Sequence, residues 1–187
     1  MSWNLPSDFE LPSGKYAINT DFRDILEIIS YLQDEENTEY ERIYIALALF
    51  YVSFEKMPKA EYQLAADYLF TFINCGEIEK DTRPQPKQLD FEQDAGMIAA
   101  DINKVVGYEI RALPFLHWYT FIAYFNGIGE GQLATVVSIR EKRRKGQKLE
   151  KWEEEFYRNN KSKVDFKKKY SAEDLEEIAR LKEILGE

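Results

Sequence analysis

The residues that carry most protein chemistry are nearly missing from this 187-residue chain, which has one cysteine, Cys75, and one histidine, His117. A lone cysteine excludes an intramolecular disulfide, and without a CxxC pair or a Cys/His cluster nothing in the sequence holds structural zinc. One histidine likewise excludes a multi-histidine metal site. Thiol usage this sparse fits a reducing, cytosolic setting. Long apolar runs are also lacking. The longest, Leu113 to Phe125, contains Pro114 and His117 and falls short of the about 20 residues that span a bilayer. The first 13 residues carry Asp8 and Glu10 and no apolar stretch, so no signal peptide is expected. Valine and threonine are scarce, at six each against 23 glutamates, which favours helices over strands.

Charge is plentiful but uneven. The net charge is -9, which argues against general nucleic-acid binding. Residues 1–139 hold 10 Lys/Arg against 22 Asp/Glu, a net of -12. Residues 140–170 hold 13 against 6, a net of +7, and residues 171–187 hold 2 against 6, a net of -4. The pattern is an acidic body, a basic arm and an acidic tip.

The periodicity predicts an all-α protein, with a compact helical body at 19–140 between an extended segment at 1–18 and a charged helical extension at 141–187. Asn19-Thr20 is a candidate cap for a first helix, with the apolar stripe Ile25, Leu26, Ile28, Ile29 and Leu32. Thr38 and Glu41 form a capping-box pattern. Ile43, Leu47, Phe50 and Phe54 follow at helical spacing. Pro58 suits the start of a third helix, and Cys75-Gly76 its end. Residues 77–90 lack periodicity and contain two prolines, which reads as a mobile linker. A fourth helix is expected from Phe91 to Val106, stopped by Gly107. A fifth, apolar almost all round, is expected from Pro114 to Phe125, as suits the middle of a core or a subunit contact. A short amphipathic helix follows from Gly131 to Arg140. Leu175, Ile178, Leu181 and Leu185 mark a last one, capped by Ser171.

No catalytic constellation emerges. His117 has Phe121 and Tyr124 at helical distance and neither acid nor nucleophile in reach, so a structural role is expected. Nothing beside Cys75 except Lys80 would lower its pKa. The Gly127–Gly131 stretch lacks the preceding strand and the following Lys-Ser/Thr of a phosphate loop. Asp94 and Asp101, seven apart on one helix face, amount at most to a weak cation site. Arg140, Lys142, Arg143, Arg144, Lys145, Lys148 and Lys151 would suit phosphates, but Glu150, Glu153, Glu154 and Glu155 neutralise the next turn. The basic arm also fits as the electrostatic complement of the acidic body, in its own chain or a neighbour's, and a net acidic protein would be repelled from nucleic acid elsewhere.

Several segments in order carry a resemblance: Gly14-Lys15-Tyr16-Ala17-Ile18-Asn19-Thr20-Asp21-Phe22-Arg23, then Phe72-Ile73-Asn74-Cys75-Gly76, then Phe91-Glu92-Gln93-Asp94-Ala95 with Ile98. Gly107-Tyr108, Leu116-His117-Trp118-Tyr119-Thr120-Phe121 and Ile139-Arg140 complete the set. Over residues 14–140 the chain resembles the bacteriophage gene-product-fifteen family, encoded near the tape-measure gene of long-tailed phages and prophages and regarded as tail assembly chaperones. The resemblance implies a non-enzymatic protein without cofactor or metal. It would bind the tape-measure protein in the host cytoplasm, keep it soluble until tail-tube subunits polymerise, and be absent from the virion. Contact with the tail-tube protein is a further implied partnership, and self-association is expected from attraction between the body's -12 and the arm's +7. The surfaces best suited to such a client are Phe115, Trp118, Phe121, Ile122 and Phe125, together with Leu175, Ile178, Leu181 and Leu185. The alternative reading is a nucleic-acid-binding phage accessory protein that uses the basic 140–170 arm.

Overall fold

The computed structural model describes residues 3–34, 36–77, 86–167 and residue 180. The chain divides into two units, Met1–Thr135 and Val136–Glu187.

The first unit opens on two short antiparallel strands, β1 (Asp8–Leu11) and β2 (Gly14–Ala17), joined by a two-residue turn and paired Phe9 with Tyr16 and Leu11 with Gly14. This hairpin corrects the all-α expectation: the described residues are mostly helical and form one small two-stranded sheet. Strands this short lack independent stability, and packing holds them in place. Leu11 and Tyr16 are buried, and the Phe9 ring stacks on Tyr68 with centroids 3.7 Å apart. The chain then stays extended. Ala17 accepts from the Val52 N–H, and the Asn19 N–H and side-chain amide donate to the carbonyls of Phe50 and Leu49 at 2.8 and 2.7 Å. Asn19 therefore satisfies carbonyls that the helix ending at Phe50 would leave without partners at its C-terminus.

With Asn19 so engaged, the cap of α1 (Phe22–Leu32) is Asp21 rather than Asn19-Thr20. Its carboxylate accepts from the Arg23 N–H at 3.0 Å. Phe22, Ile25 and Ile28 form the buried face of α1. Helix α2 (Glu39–Phe50) begins with the Thr38–Glu41 capping box and buries Ala46, Leu47 and Phe50. It stops before Phe54, which lies in a separate 3-10 turn, Phe54–Lys56. Pro58 starts another such turn, Lys59–Glu61, that leads into α3 (Tyr62–Ile73). α3 ends with Cys75 and Gly76 at φ of 54° and 81°, and the Gly76 N–H reaches back to the Thr71 carbonyl. That closure needs left-handed backbone, which glycine adopts without cost.

Helix α4 (Ala95–Val106) starts one turn later than the apolar pattern suggests and stops at Gly107, whose φ is 80°. Helix α5 (Trp118–Asn126) also begins late, because residues 114–117 are held extended against the start of α1. The Phe22 N–H donates to the Leu116 carbonyl and the Trp118 N–H to the Thr20 carbonyl, at 2.9 and 2.7 Å. α1 packs on α2 and α5, α2 on α3, and α4 on α5. Ring stacking of Phe22 on Phe121 (4.7 Å) and of Trp118 on Phe121 (5.5 Å) marks the centre of the core. Helix α6 (Gln132–Arg144) begins where the buried Asp101 carboxylate accepts from the Leu133 N–H.

The second unit contains the C-terminal part of α6, then α7 (Lys151–Asn159) and the single turn α8 (Lys161–Val164). Glu150 and Glu153 cap α7 reciprocally. Buried Glu153 also accepts from Lys142 Nζ at 2.7 Å. Arg140 donates from Nε to the Val164 carbonyl and from Nη2 to that of Lys163, both at 2.7 Å, while its guanidinium lies over Phe166.

Candidate functional site

Helix α2 carries more apolar surface than its core face needs. Ala46, Leu47 and Phe50 face the core, but the stripe continues round the helix to Tyr40, Ile43 and Tyr44. Tyr40 remains 66% exposed and Tyr44 43%. Tyrosine suits such a place, since its ring packs while its hydroxyl stays wet. Across from them α3 contributes Tyr62, Gln63 and the small Ala66, leaving an open cleft of about 140 Å³. Its aromatic wall is continuous. Tyr44 lies 6.3 Å from Tyr40, 6.2 Å from Tyr62 and 5.2 Å from Phe54, ring centroid to centroid. Burial against this cluster, then the neighbouring phenols of Tyr44 and Tyr40, push the Tyr62 hydroxyl above its ordinary value.

The cleft is too small for a typical small-molecule site, which begins near ~300 Å³. It is shaped to receive protruding side chains. Tyr40, Ile43, Tyr44 and Leu47 stand at i, i+3, i+4 and i+7, the four-residue diamond into which a coiled-coil knob inserts. A second apolar hollow, about 70 Å³, lies among Phe22, Leu26, Ile98 and Phe121 with Arg111 on its lining.

The residues singled out in the sequence are dispersed by the structure. Trp118 and Phe121, expected at a client surface, are buried in the core, and Trp118 Nε1 donates to the Ile73 carbonyl at 2.9 Å. Ile122 and Phe125 are half-buried, while Phe115 is exposed at 55%. Leu175, Ile178, Leu181 and Leu185 lie outside the described residues, as do positions 78–85 of the 77–90 linker. Sequence reasoning missed Tyr40, Tyr44 and Tyr62. The available signal was the width of the α2 stripe, which exceeds one face once Tyr40 and Tyr44 are counted.

His117 is the N-cap of α5 and engages backbone through both ring nitrogens. Nδ1 accepts from the Tyr119 N–H at 3.1 Å and Nε2–H donates to the Pro6 carbonyl at 3.0 Å. Cys75 is half-buried, and burial together with the Glu77 carboxylate pushes its thiol up to about 11. Much of the basic arm is occupied internally. Arg140 holds the α8 carbonyls, Lys142 pairs with Glu153, the Arg143 guanidinium lies 3.9 Å from the Tyr157 ring centroid, and Lys145 pairs with Glu141. Asp94 accepts from the Asp90 N–H, and Asp101 from Leu133 and Lys104. Among the described residues no group of three or more His, Cys, Asp or Glu is placed to hold a metal, and no helix is long and apolar enough to cross a membrane.

The family model of the bacteriophage Gp15 protein matches residues 1–166. The chain belongs to this family. The match takes in the whole first unit, with the tyrosine cleft, and the second unit through α8. No curated protein and no solved structure matches this Gp15-family chain.

Proposed function

We propose that this Gp15-family protein is a non-enzymatic tail assembly chaperone. It binds the tape-measure protein in the cytoplasm of the bacterial host, keeps it soluble until tail-tube subunits polymerise, and stays out of the virion. The observation that carries the reading is the tyrosine-walled cleft between α2 and α3, an apolar surface left over after the core is satisfied, in a chain of a phage family. A chaperone needs such a surface, with affinity low enough for the client to be handed on. Half-exposed tyrosines meet that need, because part of their area is already buried and little remains to be gained on binding.

Phe115 offers a second exposed contact. Leu175, Ile178, Leu181 and Leu185, whose sequence spacing is amphipathic, are further candidate contacts for the client. Attraction between the acidic body of one copy and the basic arm of another places several copies along one client. The nucleic-acid reading is the weaker one, because Arg140, Lys142, Arg143 and Lys145 are engaged by their own unit and contribute less to phosphate binding.

Co-expression tests the reading. A tape-measure fragment from the same phage or prophage is expected to remain soluble and co-purify with the full-length chain, and to precipitate without it. Equal solubility with and without the chain contradicts the proposal.

A further inference from the structure

The tyrosine cleft has a charge as well as a shape. Glu39 precedes Tyr40 in the chain, whereas the Glu41 carboxylate is held by Thr38 and that of Glu61 by Ser13. Gln63, which lines the cleft, donates from Nε2 to Asp67 Oδ1 at 3.0 Å, so that carboxylate sits at the lip. Residues 34–67 hold eight Asp/Glu against three Lys/Arg. One of the three, Arg42, is turned away to the Leu32 carbonyl. The tyrosine faces add to the same preference, since an electron-rich ring attracts a lysine or arginine placed over it. The apolar i, i+3, i+4, i+7 diamond of Tyr40, Ile43, Tyr44 and Leu47 and the acidic margin are two separate requirements on one occupant.

We infer that the cleft between α2 and α3 binds an amphipathic helix whose apolar stripe is flanked by lysine and arginine. This names the client segment of the chaperone reading and rests on that reading for its biological setting. The apolar stripe of the incoming helix supplies knobs for the diamond, as in helix-in-groove recognition. Its flanking cations meet Glu39 and Asp67 and lie across the exposed rings of Tyr40 and Tyr44. Tyr40 to Leu47 covers about two helical turns, ~10 Å at 1.5 Å per residue, so the occupant contributes a short stretch. Phe70 shares the Gln63 and Ala66 face of α3 at i+7 and i+4 and is exposed, which prolongs the apolar strip by one turn. A helix with acidic flanks would bring like charges together and is rejected on that ground.

Two fluorescent peptides of about 21 residues, three heptads, make the test. Both carry one leucine stripe, flanked in one by Lys/Arg and in the other by Glu, and binding to the full-length protein is followed by anisotropy. The basic peptide is expected to bind at least about tenfold tighter at low salt, with the gap narrowing as salt screens it. The double variant Glu39→Lys/Asp67→Lys is expected to reverse the preference, with an unchanged far-UV spectrum and a retained cooperative melt, a few degrees lower because Glu39 opens α2, as the folding control. Equal binding of both peptides, or a preference unmoved by the charge reversal, overturns the inference. If neither peptide binds while the chain still keeps a tape-measure fragment soluble, the inference fails and the chaperone reading stands. If the fragment also precipitates, both fail.

Discussion

Asp21 accepts a hydrogen bond from the Leu116 N–H at 2.9 Å, across 95 positions of sequence. The same carboxylate caps α1 through the Arg23 N–H and pairs with the Arg23 guanidinium, which in turn donates to the Leu113 carbonyl at 2.6 Å. One side chain thus starts α1 and holds the extended approach to α5.

Replacing Asp21 by alanine removes a helix cap, worth about 1 kcal/mol, and leaves the Leu116 N–H without its acceptor at about 1–3 kcal/mol more. Asp21→Ala is expected to lower unfolding free energy by about 2–4 kcal/mol, and Asp21→Asn by less, because asparagine still caps. Urea denaturation checks the order. Equal stability of wild type and Asp21→Ala would remove the carboxylate from this role.

His117 makes a parallel case with a different split. Its Nδ1 caps α5 and its Nε2–H holds Pro6. His117→Asn keeps a capping oxygen but loses the Pro6 contact and the ring contacts with Phe72 and Tyr119, so it is expected to cost about 1–2 kcal/mol. His117→Ala loses the cap as well, at about 2–3 kcal/mol. Thermal melts of the two variants give the comparison, and a larger loss in the asparagine variant contradicts the assignment.

In the second unit the Lys142 ammonium, then the Glu150 N–H, holds the buried Glu153 carboxyl below its ordinary value despite the opposing effect of burial. A depressed folded value means the stabilisation is fully present above the unfolded value, near pH ~4.3. It is lost as pH falls through the folded one. Helicity followed by circular dichroism is therefore expected to fall on acidification below about pH 4. Glu153→Gln should flatten that limb and lower stability at neutral pH. An unchanged acid limb in Glu153→Gln would show that other carboxylates govern it.

Burial and Glu77 push the Cys75 thiol up to about 11, which leaves little thiolate at pH 8. Alkylation by iodoacetamide at that pH is expected to be on the order of 100-fold slower than for a free thiol. The rate should rise about tenfold per pH unit until the thiol titrates. A rate like that of free cysteine contradicts the packing at the end of α3.

What was legible in the sequence follows from how local each signal is. Thr38 and Glu41 announce α2 because a capping box needs only four residues. Gly107 ends α4 because a left-handed cap depends on one residue. Asp21 was hidden, since its advantage over Asn19 as a cap depends on Asn19 being engaged by Leu49, 30 positions away. The hairpin was hidden because strands of four residues carry too little alternation to stand out and rely on packing with α3. Trp118 and Phe121 lie on a helix apolar almost all round, and such a helix reads alike at a core centre and at a contact. Their burial is decided by Phe22 and Ile73, far away in sequence. The cleft needed both α2 and α3 in place before Tyr40, Tyr44 and Tyr62 came together.

Site-specific photo-cross-linking asks the central question at the residue level. With p-benzoylphenylalanine at position 44, inside the cleft, ultraviolet irradiation during co-expression is expected to join the chain to the tape-measure protein. The same probe at the exposed Val52, outside the cleft lining, is expected to give little product. A tape-measure adduct from position 44 that is strong and specific supports a client-binding cleft. No adduct from position 44, or equal adducts from both positions, contradicts it.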